Sequence, residues 1–160
     1  MTKTQKILGV DPGTATTGYG IIENQRGKLS LVEYGVIQTS KADSAAHRLT
    51  EIYKDLTKLI KKHKPDLLAV EQLFFYKNIT TAITVAQARG VILLCAEQNK
   101  IKLAEFTPLQ IKNSLTGYGK ADKKQVQYMV AKLLGIKKPP RQDDAADALA
   151  VAICAAGRRY

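Results

Sequence analysis

The side chains in this sequence best placed to do chemistry are carboxylates. Asp11 ends the apolar run 7–10, Glu71 ends the run 66–70, and Gln142-Asp143-Asp144-Ala145-Ala146-Asp147 opens an alanine-rich segment. Residues three apart share one helix face, so Asp144 and Asp147 can point into one site. Carboxylates among alanines carry a desolvation cost that a bound cation would offset. Oxygen-only ligands without histidine or thiolate favour a hard ion, magnesium or manganese, which keeps several waters and joins protein carboxylates to substrate phosphate. That combination suits phosphodiester hydrolysis. With two ions roughly 4 Å apart, one activates the attacking water and the other stabilises the leaving oxygen of an in-line displacement.

Each acid also has an ordinary reading. Asp11 could make an Asx turn with Gly13, Glu71 could be a strand end reaching solvent, and Asp144 could be only a first-turn acid complementing the helix dipole. Asp143 reads as the cap of the final helix, although its spacing from Asp147 keeps it a second candidate for the same ligand place. Asp147 lies one turn inside an apolar helix, where an acid needs a function or a partner such as lysine. Three separate segments each delivering acid favour a metal site over these separate explanations. His47 and His63 have no cysteine or histidine at ligand spacing and read as solvated helix positions.

The elements that must hold these acids follow from periodicity. Residues 7–10 form a strand stopped by the turn Asp11-Pro12-Gly13-Thr14. Segments 18–22 and 29–37, joined through Gly27, continue it as an antiparallel meander. Leu49, Ile52, Tyr53, Leu56, Leu59 and Ile60 recur at helical spacing with lysines between them. A buried strand 66–70 then delivers Glu71, a helix spans 81–98 with Gly90 marking close packing, and 101–106 is a fifth strand. Thr107-Pro108 caps and opens a short helix carrying Lys112. Asp122 with Gln125 resembles a capping box for a helix ended by Gly135, and the last helix runs from about 143 to 156.

The chain of 160 residues, 45% hydrophobic, suffices for one domain with a core, so a single domain over 1–160 is expected. Its 25 Lys+Arg against 14 Asp+Glu, a net charge of +11, call for a polyanion; nucleic acid is the first candidate, though charge names no reaction. Cys95 and Cys154 sit in apolar stretches and suit a reducing compartment. The polar start lacks a signal peptide's apolar stretch, and the longest apolar run, 145–156, is interrupted by Asp147 and too short to span a bilayer. A soluble, cytoplasmic protein with no membrane association is expected.

Several stretches together resemble a known family: Ile7-Leu8-Gly9-Val10-Asp11-Pro12-Gly13 with Thr17-Gly18-Tyr19-Gly20, Glu71-Gln72, Gln87-Ala88-Arg89-Gly90, and Asp144-Ala145-Ala146-Asp147-Ala148-Leu149-Ala150. The chain resembles, in order and over almost its whole length, the bacterial RuvC Holliday junction resolvases. The resemblance implies an α/β, ribonuclease-H-like fold: a five-stranded mixed sheet, three antiparallel strands then parallel ones, with helices on both faces. It also implies a homodimeric, magnesium-dependent endonuclease of recombination and repair. Such enzymes nick two opposed strands of four-way junction DNA and act with the RuvA and RuvB branch-migration proteins. By position the family's metal-binding acids fall on Asp11, Glu71, Asp144 and Asp147, which selects Asp144 over Asp143. The family's DNA contacts fall on Lys112 and Lys123, flanking the loop that carries Tyr118 and Lys120, and its stacking aromatic falls on Phe74.

Two rival classes stand beside this reading. Gly9-Val10-Asp11-Pro12-Gly13-Thr14 also resembles the phosphate-binding turn of actin-like ATPases, but those need a second lobe that 160 residues hardly provide. A junction-binding module without catalysis would keep the basic surface and leave four acids without a purpose.

Overall fold

The structure, a computed structural model, describes residues 4–72 and 79–158. Phe74 lies outside the described residues. Three strands, β1 (Gln5–Asp11), β2 (Thr16–Gln25) and β3 (Lys28–Gln38), form the expected antiparallel meander. β2 and β3 extend past the predicted 18–22 and 29–37 because hairpin pairing carries polar residues into the ladder. Their two-residue turn, Arg26-Gly27, has both φ angles positive (55° and 88°), the geometry that follows strand twist.

Helix α1 (Ala45–His63) follows, capped by the Ser44 side chain, and then β4 (Leu67–Glu71) and helix α2 (Ile79–Gln98). Strand β5 (Lys102–Phe106) completes a sheet of order β3-β2-β1-β4-β5, with β1, β4 and β5 parallel. Helices α3 (Pro108–Thr116) and α4 (Lys123–Leu134) both open with full capping boxes, Thr107 with Gln110 and Asp122 with Gln125. The chain closes with α5 (Asp143–Ala156).

Period-two alternation sorts the sheet into two faces. On one, Leu8, Val10, Ile21, Leu68 and Val70 pack with Ile52, Leu56, Ile92 and Cys95 of α1 and α2. On the other, Ile7, Ile22, Leu67, Ala69 and Phe106 pack beneath α5, with Ile111 of α3 and Val130 of α4 beside it. The two cysteines, buried and unpaired, belong to opposite faces.

Two sequence expectations fail on tertiary grounds. The His63 side chain is only 9% exposed and its Nε2 lies 3.0 Å from Glu33 Oε2, so it packs against the edge of the sheet instead of standing in solvent. Gly90 has no close neighbour: a Cβ built there meets nothing within 4 Å among the described residues. That half of α2 is open, with Ile79, Ile83 and Leu94 exposed. By length and composition alone α2 is long and apolar enough to cross a membrane, although Arg89 and Glu97 break its apolar run. Its other face, with Ala88, Ile92, Cys95 and Ala96, is buried against the sheet.

Candidate active site

Because β1 and β4 are parallel neighbours with Val10 opposite Val70, Asp11 and Glu71 follow side by side at their carboxyl ends. Alternation turns both side chains to the α5 face, where Ile7 and Leu67 lie two turns of the pleat below. Open ends of parallel strands are where α/β sheets expose chemistry, since no strand continues to cover them.

Helix α5 brings the remaining acids by lying unusually close to the strands. A Cβ on Gly9 would sit 2.0 Å from the Ala148 carbonyl oxygen, and one on Gly18 would sit 1.9 Å from that of Asp144. The absent side chains let the helix backbone rest on the sheet backbone. Ala145, Ala146, Ala148 and Ala152, all buried, are its matching small residues. No local pattern assigns Gly9 and Gly18 this role; the signal for it is glycine inside a strand pattern in a chain that also holds an alanine-rich helix.

Carboxylate oxygens of Asp11, Asp144 and Asp147 consequently lie within 4.8 Å of one another. Glu71 stands outside this tight trio, on the Asp147 side. It lines a cleft of about 270 Å³ with Asp147, Lys112, Lys123, Ile111 and Val126. Lys123 Nζ is 3.8 Å from Asp147 Oδ2, a long pair that supplies part of the lysine partner expected for a buried acid. Tyr118 and Lys120 are exposed on the α3–α4 loop and do not line this cleft.

Asp143 does not cap the helix. Gln142 occupies the cap position without a side-chain cap hydrogen bond. Asp143 instead accepts from Gln127 Nε2 at 3.0 Å and pairs with Lys123 Nζ at 3.0 Å, which together hold its carboxyl below the usual range. A carboxylate already neutralised by α4 leaves the inward place to Asp144. Nor does Asp11 need an Asx turn: the Thr17 hydroxyl donates to the Gly13 carbonyl at 2.6 Å and ties that turn itself.

The acids repel. Burial, and then the charges of Asp147, Asp144 and Glu71, push the Asp11 carboxyl up to about 8. Burial raises Glu71 and Asp147 as well, with Lys112 and Lys123 respectively pulling back. An all-oxygen cluster in which burial and crowded like charges keep a proton on Asp11 at neutral pH, with only the two rim lysines opposing them, fits a hard divalent ion.

A pH dependence follows. Asp11 is ionised in the unfolded chain above about pH 4, whereas the fold keeps its proton up to about 8. In that window the folded state binds more protons, so stability falls as pH rises through it. A cation must displace the proton, and its stabilisation should therefore grow with pH. The rise in Tm on adding fixed magnesium is expected to be clearly larger at about pH 9 than at about pH 6. Scanning fluorimetry showing equal shifts at both would refute it.

The family model of crossover junction endodeoxyribonuclease RuvC matches residues 7–155. The RuvC protein of Fusobacterium nucleatum is 54% identical over 148 residues, 92% of this chain and 78% of that one. Among solved structures, RuvC of Thermus thermophilus superposes with a TM-score of 0.87 at 33% identity, over 94% of this chain and 92% of that one. The same protein in complex with a Holliday junction substrate gives 0.86 at 30% identity, with the same coverage.

Proposed function

The chain belongs to the RuvC family of crossover junction endodeoxyribonucleases, and from that premise we propose that Asp11, Glu71, Asp144 and Asp147 are its metal-holding catalytic acids. The substrate is four-way (Holliday) junction DNA, resolved in recombination and repair by symmetric phosphodiester hydrolysis. One observation carries the assignment: carboxylates from β1 and α5, distant in sequence, meet within 4.8 Å at an open strand end. Glu71 is added by its place beside Asp11 in the sheet.

Magnesium, with manganese as a substitute and two ions per site, would supply the charge that neutralises phosphate and lowers the pKa of water. The protein's own groups do the rest. Asp11 and Glu71, fixed on rigid strand ends, orient the assembly, while α5 fixes Asp144 and Asp147 relative to them. Lys112 and Lys123, on the rim of the same cleft, contact backbone phosphates without reading bases. Tyr118 and Lys120 extend that contact along the loop, and Phe74 stacks on an unpaired junction base.

Residues 1–160 act as a single nuclease domain in the cytoplasm, alongside RuvA and RuvB. The decisive experiment mixes purified protein and magnesium with a synthetic four-way junction and, separately, a linear duplex. Paired nicks in opposed strands of the junction, with the duplex left intact, are expected. Binding without nicking would instead favour the non-catalytic junction module.

Two active sites on one junction require a dimer, and the apolar stripe of α2 is its interface. Ile79, Ile83 and Leu94, exposed by 78%, 54% and 51%, lie on one side of the helix with Gly90 between them. A glycine facing open space there lets a second helix approach closely. Leu94→Glu is expected to shift the protein from dimer to monomer in sedimentation velocity; an unchanged dimer would place the interface elsewhere.

A further inference from the structure

None of Gln87, Ala88, Arg89 and Gly90 lines the acid cleft, yet Arg89 reaches the strand that carries Glu71. Its side chain is only 17% exposed, and its Nη2 donates to the Glu105 carboxylate on β5. Its Nε points at the Glu71 backbone carbonyl, 3.5 Å away. Register explains the geometry: Glu105 pairs with Val70 and so turns to the α2 face, opposite the face to which Glu71 sends its own carboxylate. Arg89 thus spans the ends of β4 and β5 from beneath. The next residue is held from the side, where Gln72 N donates to the Phe106 carbonyl at 2.7 Å. Helix α2 makes a second such contact at the neighbouring strand end, where the Thr14 hydroxyl donates to the Thr84 carbonyl at 2.9 Å.

We infer that Arg89 is a positioning residue: anchored by Glu105, it holds the backbone at the end of β4 and so sets where the Glu71 carboxylate stands in the acid cluster. This rests on Glu71 being a metal ligand. A planar guanidinium can direct separate donors at a carboxylate and a carbonyl, whereas a lysine ammonium is a compact point charge without that fork. Glu71 stands outside the tight trio, so its approach to a shared ion depends on the strand end more than on neighbouring acids. Losing an outer support of a metal ligand weakens the metal by about tenfold or more without removing the ligand.

The test is direct manganese binding, followed by the electron paramagnetic resonance signal of free Mn²⁺, on the parent, Arg89→Gln, Arg89→Lys and Glu71→Gln. Both Arg89 variants are expected to bind manganese about tenfold more weakly. Single-turnover cleavage in each should recover towards the parent at saturating manganese, since the ligand itself remains. Parental affinity in either folded Arg89 variant, with affinity lost in Glu71→Gln, would overturn the inference and leave the site assignment standing. Unchanged affinity in Glu71→Gln would overturn both. Should Arg89→Gln fail to fold, Arg89→Lys, which keeps the charge beside Glu105, decides the matter.

Discussion

Asp11→Asn is expected to bind a four-way junction as the parent does while its cleavage falls by about 10³-fold or more. Asparagine keeps the shape of the side chain and removes the charge a cation needs. Binding is expected to survive because the variant keeps the excess of positive charge, a net +11 in the parent, and the lysines on the cleft rim. A gel-shift titration read beside a cleavage time course separates the two properties. Equal cleavage by parent and variant would end the assignment of Asp11.

The same substitution carries a second expectation of opposite sign. In the metal-free protein the Asp11 carboxyl is raised to about 8 by burial and by three neighbouring acids. Ionised Asp11 therefore costs the fold stability, and a neutral amide relieves that cost. Metal-free Asp11→Asn should melt above the metal-free parent at about pH 8, with the gain shrinking or reversing once magnesium is added. A residue kept against the interest of the bare fold is one retained for function. Lower stability under both conditions would mean that Asp11 serves packing instead.

Gly18→Ala and Gly9→Ala are expected to be the most damaging single-methyl changes in the chain. The added carbon would lie 1.9 Å from the Asp144 carbonyl oxygen in the first and 2.0 Å from that of Ala148 in the second. Neither neighbour is the movable end of a side chain; both are backbone of α5. The helix must lift, which breaks its packing on β1 and β2 and carries Asp144 and Asp147 away from Asp11. Overpacking of this kind costs about 3 kcal/mol, roughly a 10 °C fall in Tm for a chain of this size. Cleavage should fall even where folding survives, and manganese affinity should fall with it. Gly27→Ala provides the contrast, since a Cβ there meets nothing within 4 Å and the only strain is its positive φ of 88°. Parental melting and cleavage in Gly18→Ala would show that α5 does not rest on the strands as closely as the structure has it.

Much of this molecule was legible in local pattern. Short apolar runs ended by a turn or an acid marked β1 and β4, and strand-like segments around Gly27 marked β2 and β3. Helical spacing marked α1 and α4, and Thr107-Pro108 and the pair Asp122 with Gln125 marked the starts of α3 and α4. These signals act within a few residues, through backbone hydrogen bonds and side-chain alternation, so composition and spacing carry them. The acids could be named for the same reason: a carboxylate at the end of an apolar strand, or one turn inside an apolar helix, conflicts with its own surroundings.

What local pattern could not decide was every choice made across the sheet. Asp143 and Asp144 are equivalent as first-turn acids. They differ because Lys123 and Gln127, sixteen or more residues earlier in the chain, claim Asp143 and leave Asp144 beside Asp11. His63 reads as a solvated helix end until Glu33 of the edge strand is laid against it. Gly90 reads as a packing glycine, yet it faces open space, while Gly9 and Gly18 accept the close approach. Sequence alone determined which acids this protein has and the elements that carry them. Only the tertiary structure decided which of them face one another, because that depends on strand register and on how nearly α5 lies to the sheet. The register pairs residues sixty positions apart, Val10 with Val70, and the approach of α5 rests on contacts more than a hundred positions apart, Gly9 with Ala148 and Gly18 with Asp144.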